Sequence, residues 1–153
     1  MLTPGAGYAR LMRYTLDGRG GPLPDSIPNE LDQLWHELNR DPRVVGWDVT
    51  SVTRGIECYY SSLDEEAQTA ARLEFGRWLN SDDAQRRWDG AVLVRRLSIQ
   101  EALPELTLRV QRLTRELDLL GDSLDGQARH RRFVIESELK SLTRLQDIIE
   151  RPD

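Results

Sequence analysis

The segment VVGWDVTSVTRGIECYYSS, residues 44–62, decides the fold. It is rich in β-branched and aromatic residues, which fit the pleated surface of a strand. Val45, Trp47 and Val49 share one face of an alternating run, with Asp48 and Thr50 on the other. Ile56, Cys58 and Tyr60 then alternate with Glu57 and Tyr59. A period of two is the pattern of a half-buried strand, and Thr53, Arg54 and Gly55 stand at the turn between the runs. The segment therefore predicts an antiparallel hairpin that turns near Gly55.

Working outward, AGYARLMRYTLDG (residues 6–18) predicts a first strand, in which Met12, Tyr14 and Leu16 alternate with Arg13 and Thr15. The Gly- and Pro-rich DGRGGPLPDS follows as a loop; its prolines remove donors that a phosphate-binding nest needs. Ile27, Leu31, Leu34, Trp35 and Leu38 are spaced as one helical face, with Ser26 as the expected cap, Pro28 in the first turn and Pro42 beyond the end. Ser62 and Glu65 fit a capping box for a second helix that carries Ala67, Ala71, Phe75 and Trp78 on one side. NSDDAQRRWDG (80–90) reads as a short helical turn and AVLVRRLSI (91–99) as a fourth strand. The order β-α-β-β-α-β predicts an α+β ferredoxin-like sandwich over residues 1–100, an antiparallel four-stranded sheet with two helices on one face.

Residues 101–153 predict a C-terminal helical hairpin or coiled-coil arm. Leu106, Val110, Leu113, Leu117 and Leu120 step by alternating fours and threes, a heptad seam. Ile135, Leu139, Leu142 and Ile149 continue a similar seam, with Gln146 interrupting it and Leu145 beside it. Gly121 and Gly126 bracket the polar turn GDSLDG, and glycine at a helix end favours a hairpin over one rod.

Composition limits the function classes. The net charge is −5, with 12 basic and 15 acidic groups in residues 1–100 and 9 and 11 in the remainder, so neither part is a basic tail for nucleic acid or anionic lipid. No apolar run approaches the roughly 20 residues that span a bilayer. The N-terminal MLTPGAGYARLMRY lacks the layout of a signal peptide, and the lone Cys58 agrees with a reducing compartment; both predict a cytoplasmic protein.

Residues 54–71, RGIECYYSSLDEEAQTAA, resemble the third strand and second helix of RNA-recognition domains. Arg54 and Gly55 match the start of that family's motif, but the two base-stacking positions fall on Ile56 and Cys58, neither of them aromatic, and the small core position falls on Glu57. An open face bearing Asp48 and Glu57 repels phosphate, so nucleic-acid binding is not expected. Cys58 is expected buried and inert on the apolar face. His36 and His130 are distant in sequence and, with one cysteine, give no metal-ligand spacing. Asp64, Glu65, Glu66, Asp82 and Asp83 sit at helix starts, where the dipole accounts for negative charge. No catalytic, cofactor-binding or metal-binding residues are assigned.

The expectation is a non-catalytic protein-interaction, adaptor or scaffold module. It would bind a protein partner, or a second copy, through the helical arm or through the open sheet face, where Val52 and Tyr59 stand. Trp88, Tyr59, Arg129, Arg131 and Arg132 are the candidate anchors, since Trp and Arg are enriched at interface centres. In plan this is similar to the N-terminal domain of TRADD-type signalling adaptors, a likeness of fold alone. The alternatives are single-stranded RNA binding on the sheet, and a small enzyme with a pocket between sheet and helices into which His36 or Cys58 would turn.

Overall fold

The computed structural model describes residues 22–42 and 50–151. Of these, 83% are helical and none is in a strand, so the expected ferredoxin-like α+β sandwich is replaced by an all-helical architecture. The expected first strand (6–18) and most of the second (44–49) lie outside the described residues. The third and fourth expected strands are helices. The chain divides into two compact units, Met1–Glu74 and Phe75–Asp153.

In the first unit, a 3-10 turn at Pro24–Ser26 leads into α1 (Ile27–Arg40). Ser26 does not cap it as expected; its hydroxyl donates to the Leu23 carbonyl at 2.8 Å. Helix α1 buries Ile27, Leu31, Leu34, Trp35 and Leu38, one stripe at 3.6-residue spacing. Each such side chain removed from water contributes about 1.5–3 kcal/mol.

Helix α2 (Ser51–Ser61) occupies the turn and second strand of the expected hairpin. It buries Val52, Ile56 and Tyr59, and Leu63 follows just beyond its end, a 4-3-4 spacing that also runs through the sequence. The alternation read as a strand placed Ile56, Cys58 and Tyr60 together, but Cys58 is exposed and Tyr59 fully buried. Residue type pointed to strand and spacing to helix, and the apolar face decided, because burial outweighs intrinsic preferences of a few tenths to about 1 kcal/mol per residue. Thr53 fits the helix by donating its hydroxyl to the Thr50 carbonyl at 2.9 Å. Gly55 marks a helix crossing instead of a turn. A Cβ there would stand 2.9 Å from Leu38 Cδ1 of α1.

Helix α3 (Glu65–Trp78) starts at Asp64, not Ser62: the Asp64 carboxylate accepts from the Ala67 N–H at 2.9 Å, while Ser62 donates to the Tyr59 carbonyl. Ala67, Ala71, Phe75 and Trp78 are buried on it at helical spacing. The boundary between the units falls within this helix.

In the second unit, α4 (Ala84–Arg96) takes in both the short turn and most of the expected fourth strand. Asp83 caps it, accepting from the N–H groups of Gln85 and Arg86 at 2.9 and 3.1 Å. Gly90 lets α4 cross closely over the end of α3. After a second 3-10 turn at Gln100–Ala102 come α5 (Leu103–Leu120) and α6 (Gly126–Glu150), which pack against each other; α6 also packs against α4.

Candidate functional site

The candidate surface is what α4, α5 and α6 leave uncovered after packing. Leu106 and Leu113 of α5 and Ile135, Leu142, Leu145 and Ile149 of α6 are buried. Val110, Leu117, Leu120 and Leu139 are only half-buried. Leu145 therefore belongs to the core, where Leu139 was expected. The heptad positions are largely consumed within the chain.

Two forked ion pairs fix the register of α5 on α6. Arg109 donates to both carboxylate oxygens of Glu138 at 3.0 and 3.1 Å, and Arg131 to both of Glu116 at 2.8 Å. Seven residues forward along α5 correspond to seven backward along α6, so the helices are antiparallel. Each helix carries arginine followed seven residues later by glutamate, a pattern that complements itself in that orientation. The Arg131 fork holds the Glu116 carboxyl below its ordinary range, and the positive charges of Arg131, Arg109 and Arg87 add to the effect. The Glu116 carboxylate in turn raises Arg131.

The expected anchors therefore separate. Arg131 is committed to Glu116, and Arg132 clasps the hairpin turn by donating to the carbonyls of Gly121 and Ser123 at 2.7 and 3.0 Å. Arg129 is exposed. Tyr59 is buried in α2 and is no surface anchor. Trp88, on α4, is 43% exposed.

Trp88 stands at a groove of about 450 Å³ between α4 and α6. Trp88, Ala91 and Val92 line it from α4, and Leu142, Leu145 and Ile148 from α6. The charged residues lining it are Arg95, Lys140 and Arg144, all cations. Among the described residues, no ion pair or hydrogen bond engages any of their side chains. Lys140 and Arg144 also border a shallower depression of about 520 Å³ along α6, which Glu136 and Asp147 line with them.

Reading 91–99 as a strand hid this site. Trp88, Ala91, Val92 and Arg95 follow the i, i+3, i+4, i+7 pattern of one helical face. That signal was present in the sequence but was cut in two at Gly90.

The reactive residues do not converge. Cys58 is exposed on α2, opposite to the expected burial. His36 is exposed on α1, with Nδ1 2.8 Å from the Asp32 carbonyl. His130 is exposed on α6. Among the described residues no group of three His, Cys, Asp or Glu side chains is arranged to hold a metal ion. No helix among them is long and apolar enough to cross a membrane. Comparison of the chain with protein-family models, curated proteins and solved structures finds no match in any of the three.

Proposed function

We propose that the protein is a non-catalytic binding module whose second unit presents the α4–α6 groove to another protein. The observation that carries this reading is the exposed Trp88 over an apolar floor between two helices, a combination common at the centres of protein interfaces. The heptad seam itself is a weaker candidate, because its deepest residues already bury one another's surface. Leu113→Asp would place a carboxylate at a position 1% exposed and disrupt the hairpin instead of probing an interface. Single-stranded RNA binding on a sheet loses its platform, since residues 54–61 belong to α2. An enzyme pocket between sheet and helices loses it for the same reason.

The test is capture of partners from the native host by the full-length protein and by Trp88→Glu and Ile148→Glu variants that retain the far-UV helical spectrum. The expected result is a set of proteins that the wild type retains and both variants lose. The same proteins captured by all three would remove the groove from the function. Mass by light scattering, measured alongside, separates a second copy of the chain from a different protein.

A further inference from the structure

Resting on that reading, we propose that the α4–α6 groove receives an acidic amphipathic helix of a partner protein. The chain uses its cations in two ways. Arg109 and Arg131 are forked onto glutamates inside the hairpin, and Arg87 lies 3.4 Å from Glu138. Arg95, Lys140 and Arg144 line the groove with no such partner. Lys140 and Arg144 are also one turn apart on α6, a like-charge spacing that destabilises a helix in isolation. Glu136 and Asp147 offset part of that repulsion from the side away from the groove, and an anionic ligand would offset it from the groove side, where no carboxylate lines the wall.

The floor narrows the ligand class. Small anions have no use for Trp88, Val92, Leu145 and Ile148, whereas an amphipathic helix lays an apolar stripe into a groove of this kind and keeps its charges at the rim. Three cations and no carboxylate at the rim select glutamate- and aspartate-rich flanks and reject basic ones. The chain's overall charge of −5 disfavours acidic partners at long range, so the attraction acts within the groove, over about one Debye length of 8–10 Å.

The test uses two labelled synthetic helical peptides of equal length and identical leucine stripe, one with glutamate and one with lysine at the remaining positions. Fluorescence anisotropy with the full-length protein is expected to show the glutamate peptide binding at least about tenfold more tightly, with the preference weakened by salt. The double variant Lys140→Glu/Arg144→Glu keeps like charges at the same spacing, and its fold is checked by circular dichroism. It is expected to invert the preference, and Trp88→Ala to weaken binding of the glutamate peptide. Equal binding of both peptides, or a preference unchanged by the charge reversal, overturns the proposal. Sedimentation with phosphatidylserine vesicles without glutamate-peptide binding overturns it in favour of a lipid surface. If host proteins are captured in a Trp88-dependent way while the peptide preference is absent, the acidic partner falls and the binding module stands. If capture does not depend on Trp88, the module reading falls as well.

Discussion

Gly55 and Gly90 stand at two helix crossings, one in each unit, and differ in what faces them. A Cβ on Gly55 would meet Leu38 Cδ1 at 2.9 Å and Cδ2 at 3.3 Å, the tip of a side chain that can rotate. A Cβ on Gly90 would meet Trp78 Cβ at 2.8 Å, the Phe75 carbonyl oxygen at 3.2 Å and the Trp78 carbonyl carbon at 3.3 Å. The distances are nearly equal. The difference lies in compliance, because atoms on or next to a helical backbone move only if the helix moves. The α3–α4 crossing is therefore the more exacting of the two.

Gly90→Ala tests the rigid side of that comparison and carries the largest expected effect. Overpacking against backbone costs about 1–3 kcal/mol, more than the roughly 1 kcal/mol that alanine gains over glycine in a helix. We expect a net loss of up to about 2 kcal/mol in denaturant unfolding. A neutral or stabilised variant would mean that α4 can retreat from α3 without loss of packing.

Gly55→Ala tests the compliant side, and the expected change is below about 1 kcal/mol in either direction. The helix-propensity gain and the displacement of Leu38 to a poorer rotamer are of similar size. A double-mutant cycle sharpens the point. Leu38→Ala costs about 2–5 kcal/mol by itself because Leu38 is buried. In that background, Gly55→Ala should stabilise by about 0.5–1 kcal/mol, because nothing opposes the new methyl group. Absence of coupling between the two positions would show that Gly55 is not a contact for Leu38.

The same two glycines explain how far the fold could be read from sequence. Each interrupts an apolar pattern, and an interruption by glycine marks a turn or a close helix crossing with equal force at the level of one chain. At Gly55 it turned Val52, Ile56 and Tyr59, part of a helical face that Leu63 continues, into the flanks of a hairpin. At Gly90 it cut α4 into a helical turn and a strand, and hid Trp88, Ala91, Val92 and Arg95 as one face. In both segments residue type favours a strand, through Val, Ile, Thr, Tyr and Trp, while the spacing is helical. The stripe of α1 and the leucine spacing of α5 were legible, since residue type and period agree there. Which members of the seam are deepest was not, because that depends on the third helix packed beside them: α4 lies on α6, and Leu145 is buried where Leu139 is not. The cationic rim could not be read in advance for a related reason. Arg95 is far in sequence from Lys140 and Arg144, and only the α4–α6 packing brings them to one groove.

The contrast between yielding and unyielding contacts extends to the two forked bridges, where it predicts the smallest effect. The Arg109–Glu138 side chains are 13% and 22% exposed and those of Arg131–Glu116 are 40% and 43% exposed, so solvent competes far more at the second. An exposed pair contributes about 0.2–1 kcal/mol. Its sign with pH follows from the direction of the shift. The Glu116 carboxyl ionises at lower pH in the folded chain than in the unfolded one, because the Arg131 fork favours its charged form. Its contribution is therefore fully present above the unfolded value and is lost as pH falls through the folded one. A carboxyl-detected NMR titration should place Glu116 below the ordinary glutamate range in the wild type, and Arg131→Ala should move it upward. With Glu116→Gln, the stability difference from wild type should shrink as the solution is acidified through the same window. A Glu116 titration that ignores the loss of Arg131 would mean that the fork does not persist in solution, leaving Arg109 and Glu138 to hold the register of α5 on α6.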